Sequence, residues 1–134
     1  MLNSSFLSHG CIDITVDNDL VIMDVEGPCN KEFFELMTSK LVSLRPQINM
    51  NNCTGLVVLH GEALATPDAM AYFTNYLTTV QVRAIAINLQ YAHTPSITQE
   101  ICAKAYSDAA VKHCFFYDNQ SAITWLRNCM ATPE

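Results

Sequence analysis

Covalent catalysis needs a nucleophile and a base within reach, and Cys29, His60 and His93 come nearest to supplying them. Cys29 falls at the expected end of a strand and just before a helix start, a setting that favours a thiolate. The two histidines fall on loops that can converge with it. The chemistry these suggest is a Cys/His hydrolase or transferase. The surrounding pattern does not support it: there is no nucleophile elbow and no phosphate-binding glycine loop, and the four glycines are isolated. Polar loop residues account equally well for both histidines, so the expectation is no enzymatic activity and no cofactor. The six cysteines (Cys11, Cys29, Cys53, Cys102, Cys114 and Cys129) show no CxxC and no close Cys/His spacing, so no metal site is expected. They read as reduced thiols used as small hydrophobes.

Composition narrows the partners. Half of the 134 residues are hydrophobic and 15% are charged, which is the balance of a folded domain with a real core. A single domain over residues 10–131, preceded by a short tail at residues 1–9, is the expected organisation. Seven basic against thirteen acidic residues give a net charge of −6, which repels nucleic acid and anionic lipid surfaces. Met1 to Gly10 carry no Lys or Arg and no long apolar run, so neither a secretory signal nor an anchor is expected, and the location reads as cytoplasmic.

The elements that must position any site follow from periodicity. Ile12, Ile14 and Val16 alternate with polar neighbours, Asp17-Asn18-Asp19 supplies a turn, and Leu20 to Glu26 resumes an apolar run, predicting an antiparallel hairpin. Asn30 is a candidate N-cap for a helix from about Lys31 to Arg45, stopped by Pro46. After a polar connection from Gln47 to Thr54, the unbroken apolar runs Leu56 to Leu59 and Ala84 to Ile87 predict strands buried on both faces. Between them, Thr66-Pro67-Asp68 starts a second helix running to Gln81. Ser96 to Gln99 has capping-box spacing and opens a third helix to about Asp108, with Glu100 and Lys104 as an i,i+4 pair. Lys112 to Tyr117 reads as a fifth strand, and Asp118-Asn119 caps a last helix carrying Ala122, Trp125 and Leu126.

This order, ββαβαβαβα, predicts an α/β fold with a mixed, mostly parallel five-stranded sheet. Ligands of open sheets bind beyond the carboxyl ends of the strands, which directs attention to Asn30, His60, Glu62, Asn88, Tyr91 and His93 as candidate ligand-binding residues. Phe and Met residues of the facing helices would form the apolar wall of that pocket.

The element order, the Gly55-Leu56-Val57-Val58-Leu59 strand leading into a capped helix, and the ending Phe115-Phe116-Tyr117-Asp118 with Ala122 and Trp125-Leu126 resemble the SpoIIAA-like branch of the STAS superfamily. The resemblance spans about residues 10 to 130. It implies a non-enzymatic regulatory or ligand-binding domain, in some relatives linked to nucleotides or to lipids and membranes. Anti-sigma-factor antagonists of that superfamily carry a phosphorylated serine in an Asp-Ser-Ser-Gly-like motif at the start of the second helix. The matching stretch here is Ala65-Thr66-Pro67-Asp68, so the serine is missing and Thr66 becomes the candidate phosphosite, with Asp68 opposing a phosphate.

The alternative to a small apolar or nucleotide-like ligand is a protein partner or a homodimer. The second helix has only Asp68 as a charged residue and bears Tyr72 and Tyr76, an uncharged tyrosine-bearing face of the kind found at interfaces. It lacks the Lys/Arg flanks of membrane-surface helices, so peripheral membrane contact is not indicated.

Overall fold

In a computed structural model, which describes residues 10–49 and 52–131, the chain forms five strands and four α-helices in the expected order. The tail expected at residues 1–9 lies outside the described residues. Strand β1 (Cys11–Asp17) pairs antiparallel with β2 (Leu20–Glu26), and Asn18, at φ 57°, takes the left-handed turn conformation that asparagine tolerates. Helix α1 (Lys31–Leu44) starts where Asn30 Oδ1 accepts the Phe33 amide at 2.8 Å. It ends one residue before the expected Arg45, which with Pro46 and Gln47 forms a 3₁₀ turn.

Strand β3 (Thr54–Gly61), helix α2 (Pro67–Leu77), strand β4 (Ala84–Ala92), helix α3 (Pro95–Asp108), strand β5 (His113–Phe116) and helix α4 (Asn119–Ala131) complete the chain. The sheet order is β1-β2-β3-β4-β5, parallel from β2 onward. Each crossover therefore moves one strand in the same direction. Right-handed connections of that kind place α1, α2 and α3 on one face of the sheet. Helix α4 follows the last strand with no strand left to return to, and it covers the other face.

The alternation along the central strands fits this division. Val57, Leu59, Ile85, Ile87 and Leu89 pack with Phe33, Phe34, Met37 and Phe73 of the three-helix layer. Leu56, Val58, Ala84 and Ala86 pack instead with Ala122, Leu126 and Cys129 of α4. The small Ala84 and Ala86 let that helix sit close, which leaves Leu126 2% exposed.

Several boundaries differ from the sequence reading for local reasons. Helix α2 stops at Leu77 rather than Gln81, because the Thr78 and Thr79 hydroxyls bond the Asn75 and Tyr76 carbonyls at 2.6 and 2.7 Å and the β-branched run that follows is a poor helix former. Helix α3 starts at Pro95 with Thr94 before it, so the Ser96 to Gln99 capping box is not used as a start. Lys104 pairs with Asp108 at 3.0 Å rather than with Glu100. Strand β4 runs on through Ala92 and β3 through Gly61, which puts His60 and Tyr91 on strands rather than loops.

Candidate functional site

At the carboxyl ends of the strands the register brings three side chains together. His60 of β3 lies opposite Tyr91 of β4, their rings stacked with centroids 5.0 Å apart and planes 3° from parallel. His60 Nε2 also stands 3.0 Å from Asp24 Oδ1 of β2. The match of His60 with Tyr91 requires a bulge. Val58 faces Asn88 and His60 faces Tyr91, so β4 carries one more residue than β3 over this interval. The Asn88 side chain holds that extra residue, its Oδ1 accepting the Gln90 amide at 2.9 Å while Nδ2 donates to Asn119 Oδ1 of α4 at 2.7 Å.

Of the residues selected from sequence, His60 and Tyr91 meet here. Asn88 shares their strand ends but is fully buried and committed to its two bonds. Asn30 and Thr66 act as N-caps on the three-helix side. The Thr66 hydroxyl accepts the Ala69 amide at 3.4 Å and donates to Asp68 Oδ1 at 2.6 Å, and that bond holds the Asp68 carboxyl below its usual range. A phosphate on Thr66 would displace both bonds and face the Asp68 carboxylate. Glu62 and His93 are exposed, and the His93 backbone amide donates to Gly61 O at 2.9 Å. The six therefore do not form one pocket with a Phe/Met wall. Asp24 was missed by the sequence reading, and the signal for it was a carboxylate interrupting the apolar run of β2.

Cys29 is placed on the opposite side of the sheet from His60. Where β2 exits, Gly27 lies so close to the loop after β3 that a Cβ there would run into Glu62 O. The next turn is fastened by the Cys29 amide on Leu64 O at 2.9 Å. The thiol is thereby buried among Phe33, Phe34 and Ala63, and burial pushes it up to about 12. A thiol so placed holds little thiolate, and among the described residues His60, the histidine expected to converge with it, lies across the sheet from it.

The apolar space lies at the other end of the sheet. Between the helix face of β2–β4 at their amino ends and helices α1 and α2 is a cavity of about 90 Å³, walled by Met37, Leu41, Phe73, Leu77 and Ile85 among others. Two local features leave it open: α2 ends early, and Gly55 contributes no side chain to the floor, where a Cβ would meet Ile85 Cγ1 at 3.6 Å and Val21 O at 4.0 Å. A second cavity of about 50 Å³ continues toward the carboxyl ends and shares Met23, Met37, Val57, Phe73 and Tyr106 as walls. Arg45 and Tyr76 stand on the larger cavity's rim, and burial pushes the Tyr76 hydroxyl up, so it stays protonated at neutral pH.

The tyrosines expected on an open interface face α1 instead. Tyr72 Oη lies 3.3 Å from Thr38 Oγ1, and both Tyr72 and Tyr76 pack against the main core. The reason is rotational: residues 69, 73 and 77 point at the sheet, and 72 and 76 follow on the α1 side.

No family model and no curated protein matches the sequence. Among solved structures the chain is similar to an uncharacterised protein of the DUF3478 family with a SpoIIAA-like fold from Shewanella loihica PV-4. The identity is 18%, covering 87% of this chain and 93% of that one, with a TM-score of 0.63. The chain has the SpoIIAA-like fold that its sequence resemblance implied.

Proposed function

We propose that this SpoIIAA-like domain is a non-catalytic binding module of the cytoplasm that takes a small apolar ligand between its sheet and its three-helix layer. One observation carries the reading: adjoining apolar cavities of about 90 and 50 Å³ with shared walls, in a layer otherwise filled by Phe and Met side chains. Close-packed cores hold few voids larger than a water. The apolar walls favour an apolar over a nucleotide-like ligand. The buried thiol of Cys29 supports the non-catalytic part of the reading, and no described helix is long and apolar enough to cross a membrane.

A protein partner is the second reading, on the threonine and asparagine side of the second helix rather than at Tyr72 and Tyr76, which pack against the core. Ala71, Thr74 and Asn75 of α2 and Thr78 just after it border an open groove of about 750 Å³ against α3. Small and uncharged, they would let another chain approach closely.

Native mass spectrometry of the purified protein, set against its denatured mass, tests the ligand reading. We expect an excess mass that is lost on denaturation and reduced in Gly55→Ala. The added methyl fills roughly 30 Å³ of the floor, about the share of one water, and meets no atom closer than 3.6 Å. Wild-type protein that is bare and also takes up no added 1-hexanol would sink the reading.

A further inference from the structure

Three polar side chains that line the larger cavity can each donate a hydrogen bond. Among the described residues Arg45 is the one charged residue lining it, Tyr76 offers a hydroxyl and Gln81 a side-chain amide. Arg45 belongs to the 3₁₀ turn just after α1, is exposed, and makes no side-chain hydrogen bond or ion pair among the described residues. Among the described residues the Tyr76 hydroxyl likewise has no hydrogen-bond partner, whereas its neighbour Tyr72 is bonded to Thr38. In a chain with seven basic residues and a net charge of −6, a guanidinium beside a phenol, neither hydrogen-bonded among the described residues, is a specific arrangement at an apolar opening. Both groups can donate, and among the described residues no carboxylate lines the cavity, with Asp19 reaching only the Cys53 part of its wall.

Cavity size sets the length of what enters. At about 30 Å³ per non-hydrogen atom, the larger cavity of about 90 Å³ holds about three atoms. With the adjoining 50 Å³, the space reaches about five. Long acyl chains and sterols exceed it.

We infer that the cavity takes a short-chain carboxylate, with about five carbons seated against Met37, Leu77 and Ile85 and the carboxylate held at the rim by Arg45 and Tyr76. The inference rests on the apolar-ligand reading and adds to it the head group and the chain length. The guanidinium offers paired N–H donors to the two carboxylate oxygens, and the protonated phenol supplies a third donor. Because the head stays at the solvent-facing rim, the carboxylate keeps part of its hydration while only the alkyl part is buried.

The test compares hexanoate with 1-hexanol, which has the same chain and no charge. Each is titrated into the full-length protein at low ionic strength, with binding followed by two-dimensional amide NMR. We expect hexanoate to bind at least about fivefold tighter than hexanol, with shifts centred on Gly55, Val57 and Leu77. Arg45→Gln should abolish that preference and leave hexanol binding unchanged, while Arg45→Lys should retain part of it. Arg45 is exposed, so both variants are expected to fold, and their amide spectra report whether they do. Added salt should weaken hexanoate binding selectively. Equal binding of the two ligands to wild type overturns the inference and leaves the apolar reading standing, as does a preference that persists in Arg45→Gln. Failure of both ligands to bind wild type removes the apolar reading and the inference with it.

Discussion

Asn88→Ala separates a structural tie from a ligand contact. The side chain is 0% exposed and bridges two elements, accepting from the Gln90 amide at 2.9 Å and donating to Asn119 Oδ1 at 2.7 Å. The donor on Gln90 is a backbone N–H, so the atom facing it must be the oxygen, and the orientation of the amide follows. Truncation removes two hydrogen bonds, each worth about 0.5–1.5 kcal/mol net. It also leaves a small void where the amide was packed. Gln90 and Asn119 are themselves exposed, so water can reach the freed groups and the full penalty for an orphaned polar atom does not apply. The sum is about 2–3 kcal/mol, or a fall in Tm of roughly 8–12 °C for a domain of this size. Urea denaturation of wild type, Asn88→Ala, Asn119→Ala and the double variant is the assay. Asn119→Ala alone should cost about 1 kcal/mol, and the cycle should return a coupling of about 0.5–1.5 kcal/mol. A loss below about 0.5 kcal/mol for Asn88→Ala, or no coupling to Asn119, would refute the structural assignment. It would return Asn88 to the candidate ligand residues.

Other outcomes follow from the thiol and carboxyl environments. At pH 8, Cys29 should alkylate at less than about one-hundredth the rate of free cysteine, because a thiol pushed up to about 12 holds almost no thiolate and is buried as well; peptide mapping after iodoacetamide reads this, and a free-cysteine rate would revive the nucleophile. Asp118 caps α4 by accepting the Ser121 amide at 2.6 Å, and that bond lowers its carboxyl pKa. A lowered folded-state value means stability that is present above the unfolded pKa, about 3.9, and lost as pH falls through the folded value. Thermal melts from pH 5 to 2.5 should therefore show a shallower acid decline in Asp118→Asn than in wild type, and parallel curves would contradict the capping role.

The parts of this fold that were legible in sequence are those governed by neighbours within about four residues. Asn30, Thr66 and Asp118 could be read as caps because a cap and the amides it satisfies lie within three positions of each other. The strands showed in alternation and apolar runs, and right-handed crossovers predicted a mostly parallel sheet, but three helices on one face followed only from the spatial order β1-β2-β3-β4-β5. Thr78 and Thr79 show where that reading fell short: their hydroxyls turn back on the preceding carbonyls and end α2 early, a competition that the apolar spacing through Val80 concealed.

Tertiary structure decided the rest. Asp24 and His60 are 36 residues apart and meet only because β2 and β3 pair in one register, and Tyr91 joins them only because Asn88 holds a bulge that turns it to that face. The two faces of a strand are equivalent until something packs on them, so position in sequence could not say that Cys29 and His60 lie on opposite sides of the sheet. The cavity is likewise a shortfall of packing among α1, α2 and the sheet, with a floor left open by Gly55. No single residue encodes it, because an unfilled volume is a property of how several elements meet.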